Sequence, residues 1–292
     1  MNSLTSPDSL DIDRLRQWIG REQAARDVVT PRVIAQFNAC FDDPAVPAGP
    51  GTEALSYPGL HWALAVDTPS LASLDVDGHV ARGTFLPPVP LPNRMWAGGR
   101  LEHLDPLRAG DTVWRRSRIA DISIKQGRSG VLCFVSVRHE FTTQRGQTLS
   151  ERQDIVYRDQ GTDSAAGNDP NTQTADKDSV PTASWTLSAG PPQLFRYSAL
   201  TFNGHLIHYD RDFCRAQGYP GLLVHGPLQA TLLLRLAASL HDGALPRVFS
   251  YRALRPLFEG VAFSVNAAPG DDGLELWIAE DGGATMRAQA HW

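Results

Sequence analysis

Three long runs in the first half of the chain read as strands: Thr112 to Ile124, Val131 to Thr143 and Leu149 to Tyr157. Glycine-bearing turns separate them, Gln126-Gly127-Arg128-Ser129-Gly130 and Gln144-Arg145-Gly146-Gln147, so the pattern predicts antiparallel hairpins. Four shorter runs, Arg247 to Ala253, Val261 to Ala267, Leu274 to Glu280 and Ala284 to His291, predict a second set of strands near the C-terminal end. Helical patterning appears elsewhere. Ser9 or Asp11 is placed to cap a helix through Leu15, Trp18 and Ile19 that ends near Gly20. A second helix is expected over Thr30 to Cys40, with Pro31 at the first position, where the missing N–H costs nothing. Asp210 caps a run to Gln217 that Gly218 closes, and Leu228 to Leu240 is apolar for too long to be a strand, which predicts a buried helix.

Between these elements the composition shifts. Asp42 to Gly51 is a loop rich in proline and glycine, and residues 84–93, TFLPPVPLPN, hold four prolines and cannot form a helix. Asp159 to Thr182 loses its apolar residues and reads as a linker. A short repeat spans it: Leu104-Asp-Pro-Leu-Arg-Ala-Gly110 matches Leu254-Arg-Pro-Leu-Phe-Glu-Gly260 at Leu, Pro, Leu and Gly, and both copies lead into a hairpin. The repeat predicts two copies of one α+β unit, over residues 1–158 and 183–292, each a curved antiparallel sheet with a long apolar helix lying on it. In the second unit that helix is Leu228 to Leu240. In the first it is expected within Gly59 to Leu74.

Composition narrows the function. The chain has 292 residues, 42% hydrophobic and 20% charged, with a net charge of −5. A nucleic-acid partner would need a concentrated basic face, which this balance argues against. No apolar run reaches the ~18 residues of a membrane span, and the N-terminal stretch has no basic start followed by an apolar core, so no secretory signal is expected. Cys40, Cys133 and Cys214 are too few and too widely spaced for a disulfide framework or a zinc motif, which fits a reduced cytoplasmic setting.

The chemistry concentrates in one stretch. Thr201, Asn203, His205 and His208 lie just before a predicted helix, and His225-Gly226-Pro227 opens another. A glycine N–H at a helix N-terminus carries the positive end of the dipole and suits a carbonyl that gains negative charge. Histidine beside it moves a proton near neutral pH. Other readings stay open: His208 and His225 as core histidines bonded to the backbone, Asn203 as a turn former, Gly226 as a plain helix start. His205, His208 and His225 as a metal site depends on Asp212, the carboxylate four residues after His208. Trp96 belongs either to the core or to the wall of a substrate tunnel. Arg94, Arg100, Lys125 and Arg128 read as scattered surface cations or as partners for phosphate.

The stretch Thr201-Phe-Asn-Gly-His-Leu-Ile-His208, followed by His225-Gly226, resembles the motif of the MaoC-like (hydratase-2) enoyl-CoA hydratases and acyl-thioester dehydratases, Ser-Gly-Asp-x-Asn-Pro-x-His followed by His-Gly. In that register His208 falls on the catalytic histidine and Gly226 on the glycine whose amide holds the thioester oxygen. Asn203 stands where the family has its catalytic aspartate, and His205 where it has an asparagine. An amide cannot take up a proton at neutral pH, so Asn203 can hold water but cannot be the base. With Arg94-Met-Trp-Ala-Gly-Gly99, this version is similar to the branch of mesaconyl-C4-CoA hydratases, itaconyl-CoA hydratases and mitochondrial-type 3-hydroxyacyl-thioester dehydratases.

The resemblance implies a double hot-dog fold whose second unit keeps the catalytic motif while the first shapes the acyl pocket. It implies a hydro-lyase acting on a 2-enoyl-CoA, with His208, Asn203 and Gly226 catalytic and His205, Thr201, His225 and Trp96 against the substrate. No metal or bound cofactor is implied, because coenzyme A or acyl carrier protein arrives as part of the substrate. The leading acyl group is short, branched and dicarboxylic. The alternatives are a dehydratase of straight-chain 3-hydroxyacyl thioesters and a non-catalytic acyl-CoA binding protein. Exposed sheet edges predict a homodimer.

Overall fold

The computed structural model describes residues 10–41, 58–127, 130–158 and 180–292. Its strands are β1 (Glu22–Val28), β2 (Asn93–His103), β3 (Thr112–Gly127), β4 (Gly130–Thr143), β5 (Gly146–Arg158), β6 (Ala183–Ser188), β7 (Val248–Ala253), β8 (Ala262–Gly270), β9 (Gly273–Glu280) and β10 (Gly283–His291). The helices are α1 (Ile12–Arg16), α2 (Pro31–Asn38), α3 (Pro191–Thr201), α4 (Arg211–Ala216) and α5 (Gly226–Ser239).

All ten strands form one sheet in the order β1-β3-β4-β5-β2-β7-β10-β9-β8-β6. Read outward from the middle, the order is the same on both sides: β2, β5, β4, β3, β1 mirrors β7, β10, β9, β8, β6. The seam is antiparallel pairing of β2 with β7, from Gly98 opposite Arg252 to Glu102 opposite Val248. The sequence repeat sits at matching places beside this seam. Leu104 and Asp105 both donate to the carbonyl of Thr148, at 2.9 and 3.2 Å, and Leu254 and Arg255 both donate to that of Thr285, at 2.8 and 3.2 Å. Gly110 (φ +89°) donates to Val29 and Gly260 (φ +74°) to Ala189, so both repeat glycines hold a turn that favours glycine. α2 and α3 correspond too. Each follows its unit's edge strand and opens on proline, where a missing N–H is tolerated.

α5 is the core of the molecule. Every residue from Leu228 to Ala238 is buried, as expected of a helix apolar on all sides. Its contacts run to β7, β8, β9 and β10 on the sheet side. Its other side meets the first unit: Arg235 lies 4.9 Å from the Phe41 ring centre, and a Cβ on Gly59 would fall 2.7 Å from Thr231 Oγ1. A second cluster, built on Leu15, Leu91, Ile119, Val135 and Tyr157, packs against β3, β4 and β5.

The strands expected from the pattern are present, with ends shifted by a few residues, and α2, α4 and α5 lie where they were expected. The first-unit helix does not. Gly59 to Leu74 contains only two 3₁₀ turns, Leu60–Ala63 and Leu71–Ser73. The segment is broken by Pro69, with Asp67 and Ser70 beside it, and it packs between α5 and its own sheet, with Gly59 against Thr231 and Trp62 bonded to Glu151 of β5. β1 and β6 were not anticipated. β1 reads Glu-Gln-Ala-Ala-Arg-Asp-Val and carries no apolar stripe, because it is an edge strand paired only with β3. The expected loop over Asp42 to Gly51 and most of the expected linker, residues 159–179, lie outside the described residues.

Candidate active site

The local sequence builds the site in steps. α3 ends at Thr201, and Phe202 follows in the left-handed conformation (φ +52°), turning the chain back on its own helix. Asn203 then closes a side-chain turn: its Oδ1 accepts the N–H of His205 at 3.1 Å. A 3₁₀ turn, Leu206–His208, presents His208, and Asp210 starts α4 by accepting the N–H of Phe213 at 2.9 Å. The chain returns through Leu223 to His225, the N-cap of α5, so Gly226 and Pro227 form the first turn of that helix. The Gly226 N–H has no partner within the helix.

His208 is held in one tautomer. Its Nδ1–H donates to the carbonyl of Leu223 at 2.8 Å, which leaves Nε2 as a bare acceptor. Burial lowers its pKa to about 4, so the ring is neutral through the physiological range. His225 stacks on it with ring centres 3.6 Å apart and shares a 2.8 Å hydrogen bond with Ser198 Oγ through Nε2. Burial, then His208 and His205, hold the pKa of His225 well below its usual value.

The first unit completes the arrangement. His79 stacks beside His205 at 3.8 Å, and His205 meets His208 edge-on at 5.7 Å, so a row of imidazoles runs from His79 through His205 and His208 to His225. Asp77 anchors its outer end. Its Oδ2 accepts the Nδ1–H of His79 at 2.9 Å and lies 3.9 Å from His205 Nε2. Burial pulls the Asp77 pKa up, but the bond from His79 and the surrounding charge outweigh it, and the carboxyl stays below its usual range. The two units touch here backbone to backbone. Leu206 N–H donates to the carbonyl of Asp77 at 2.9 Å, and a Cβ on Gly78 (φ +84°) would fall 1.9 Å from the carbonyl oxygen of Gly204.

Trp96 covers the start of α5. A Cβ on Gly226 would lie 2.6 Å from Trp96 Cε3, so only glycine lets the indole reach this backbone. Trp96 stacks on Tyr251 at 4.5 Å, and beneath them the buried Glu151 accepts from Trp62 Nε1 at 2.8 Å and from Tyr251 Oη at 3.3 Å. Burial raises the Glu151 pKa. Trp62, Trp96 and Glu151 line a cavity of about 1750 Å³ that also reaches Asn203, His208 and Gly226. It exceeds the ~300–1,000 Å³ of a typical small-ligand pocket, which suits a substrate with a long carrier arm.

Thr201, Asn203, His205, His208, Gly226 and Trp96 all border this cavity, and His225 lies directly behind His208. The Thr201 hydroxyl is turned into its own helix, donating to the carbonyl of Tyr197 at 2.8 Å. Asp212 does not join the histidines. It is 84% exposed and pairs with Arg215, because α4 points it away from the cavity. His205, His208 and His225 meet through ring faces and edges, and among the described residues these three do not bring their donor atoms together into one cluster. Among the described residues, the donor atoms that come within 4.8 Å of one another belong to Asp77, His79 and His205, and His79 Nδ1 is hydrogen-bonded to Asp77 Oδ2 at 2.9 Å. Arg100 pairs with Glu102 at the surface and Lys125 lies over Phe134, while Arg128 is outside the described residues. Sequence reasoning missed Asp77, His79, Trp62 and Glu151. The Asp77-Gly78 turn was the one signal available, and it gave no hint that its partner lay more than a hundred residues away.

The chain matches hydroxyacyl-thioester dehydratase type 2 over residues 59–259. It is 40% identical over 271 residues to the mesaconyl-C(4)-CoA hydratase of Chloroflexus aurantiacus, covering 92% of this chain and 94% of that one. Among solved structures, a MaoC-like dehydratase from Phytophthora capsici superposes with a TM-score of 0.70 at 14% identity, over 97% of this chain and 99% of that one. A Mycobacterium tuberculosis protein described as a double hot-dog fold superposes with a TM-score of 0.54 at 15% identity, over the whole of both chains. The fold is therefore the double hot dog, and its shared seam is the β2–β7 pairing. The bare His208 nitrogen, the open Gly226 amide and the match across both units lead to one conclusion: the chain belongs to the hydroxyacyl-thioester dehydratase type 2 family and is an acyl-thioester hydro-lyase.

Proposed function

We propose that the protein adds water reversibly to the double bond of mesaconyl-C4-CoA. The observation that carries this reading is the tautomer of His208: its bond to Leu223 leaves Nε2 as the one acceptor on that ring, in the same cavity as the open Gly226 amide. The thioester oxygen lies against the Gly226 N–H, where the helix dipole favours the charge that develops on it. His208 Nε2 takes a proton from water as the oxygen bonds to the β-carbon. The double-bond electrons move toward the thioester, giving an enolate held by Gly226. The imidazolium then returns the proton to the α-carbon, so the elements of water are added and the histidine is regenerated. A pKa of about 4 makes His208 a weak base in the empty site, and the negative charge of the enolate strengthens it when the proton moves. Asn203 shapes the loop by accepting the His205 N–H, and the ionised Asp77 orients the outer imidazoles. The 40% identity to a mesaconyl-C(4)-CoA hydratase over nearly the whole chain supports the choice of acyl group.

The test follows the loss of ultraviolet enoyl-thioester absorbance with mesaconyl-C4-CoA. Wild type turns over. His208→Ala loses ~10²–10⁴-fold in kcat, the usual contribution of a general base, with unchanged circular dichroism. Retention of activity in that variant would remove His208 from the chemistry.

A further inference from the structure

A dicarboxylic half-thioester brings a free carboxylate into the cavity, close to the carbon that water attacks. Arg94 is the residue placed to receive it. Arg94 and Trp96 lie on β2 in regular register, opposite Tyr157 and Ile155 on β5, so their side chains leave the same face of the sheet. Two residues along a strand span ~6.6 Å. Trp96 rests directly on Gly226, so Arg94 stands about one short acyl group from the amide proposed to hold the thioester oxygen.

Arg94 lies beside the outer imidazoles of the site. Its charge acts on both His79 and His205. Asp77, the nearest acid of the cluster, spends its carboxylate on His79 at 2.9 Å. Among the described residues no carboxylate lies within 4.0 Å of the Arg94 guanidinium. The buried Tyr157 hydroxyl stands beside it and is held by its charge and a hydrogen bond, a neutral partner that leaves the guanidinium charge without a counter-ion. Most other arginines along the cavity are engaged: Arg82 by the carbonyls of Val89 and Pro92, Arg115 by Asp67, Arg255 by Glu280, and Arg26 by the face of Trp114. Arg158 also borders the cavity, one strand over on β5, opposite Asn93 and not opposite Arg94. A half-buried guanidinium facing a cavity without a counter-ion is incomplete until an anion arrives.

We propose that Arg94 binds the free carboxylate of the acyl group and makes the enzyme selective for 2-enoyl-CoA thioesters that carry a carboxylate at the β-carbon. The planar fork of arginine matches both carboxylate oxygens. Pairing also offsets the negative charge that would otherwise oppose the enolate charge developing a few bonds away. The inference rests on the hydratase reading above.

The experiment compares wild type, Arg94→Gln and Arg94→Lys on mesaconyl-C4-CoA and on crotonyl-CoA, which has no second carboxylate. It also measures competitive inhibition by succinyl-CoA against butyryl-CoA. In Arg94→Gln the ratio of kcat/KM for mesaconyl-C4-CoA over crotonyl-CoA falls roughly 10²-fold, as for removal of one partner of a desolvated charge pair, and the preference for succinyl-CoA over butyryl-CoA disappears. Arg94→Lys restores part of both, since it keeps the charge and loses the fork. An unchanged ratio, or an unchanged inhibitor preference, overturns the role of Arg94. Wild-type hydration of crotonyl-CoA but not mesaconyl-C4-CoA overturns the carboxylate preference and leaves the hydratase reading standing. Hydration of neither substrate by wild type overturns that reading itself.

Discussion

Burial holds the pKa values of His103 and His208 down to about 4 and that of His139 down to about 3. Each of these rings is neutral in the fold, while the same ring in the unfolded chain takes up a proton near ~6.5. As pH falls below that value, the unfolded state binds protons that the folded state refuses. Stability present above pH ~6.5 is therefore lost progressively toward pH 4, at up to about 1.4 kcal/mol per pH unit for each histidine. Thermal melts from pH 7.5 to 4.5 should show the Tm falling steeply below pH 6. The kcat/KM measured at a temperature where the protein stays folded should hold level down to pH ~5, because His208 remains in its base form. A Tm independent of pH over that range would mean the rings are solvated. At this scale the sequence was informative where a residue's neighbours in the chain decide its role. Asn203, His208 and Gly226 were singled out by their match to a family motif contiguous in the chain, and the structure carries them on a turn, a 3₁₀ turn and a helix start. Asp77 was not, because its role depends on a contact with Gly204 and His205 from the other unit.

At the scale of elements, the contact between the Asp77–His79 turn and the loop after α3 decides whether the site exists. Gly78 has a positive φ and a carbonyl oxygen of Gly204 where its Cβ would be, so both strain and collision oppose any side chain there. Gly78→Ala is expected to push the two loops apart. A displacement of about 1 Å at a positioned base costs on the order of 10²-fold in kcat. Tm should fall much less, because neither core cluster includes this contact. Steady-state kinetics and a melt on the same preparation check it, and a large Tm loss with kcat intact would refute the assignment. The elements themselves were unevenly legible. β3, β4, β5 and α5 are long and strongly patterned, and they appear almost as expected. β1 and β6 are edge strands with one partner each; β1 has no apolar stripe, and β6 alternates Ala183, Trp185 and Leu187 toward the core over only six residues. The first-unit helix failed because the repeat suggested two equal units, whereas residues 58–64 serve as a cover for α5.

At the scale of the molecule, the two units are alike in strand order and unlike in what they contribute. The second supplies the central helix, His208 and Gly226. The first supplies Asp77, His79, Arg94 and Trp96. Neither holds a complete cavity. The repeat Leu104–Gly110 and Leu254–Gly260 disclosed the duplication, since both copies make the same turn and the same hydrogen bonds. It could not disclose the division of labour, which lies in the segments between the repeated strands.

The β2–β7 seam makes this chain divisible in principle. Its join consists of a strand pair and the packing of α5 under the first unit, both of which can also form between separate polypeptides at sufficient concentration. Residues 1–158 and 183–292, produced as two independent polypeptides in one cell, should find each other and purify as a pair. Either piece alone should be inert toward mesaconyl-C4-CoA and the assembled pair active, with a rate that depends on concentration. Activity would then report reassembly of the two pieces, and a piece active alone would show that the site had been assigned to the wrong side of the seam.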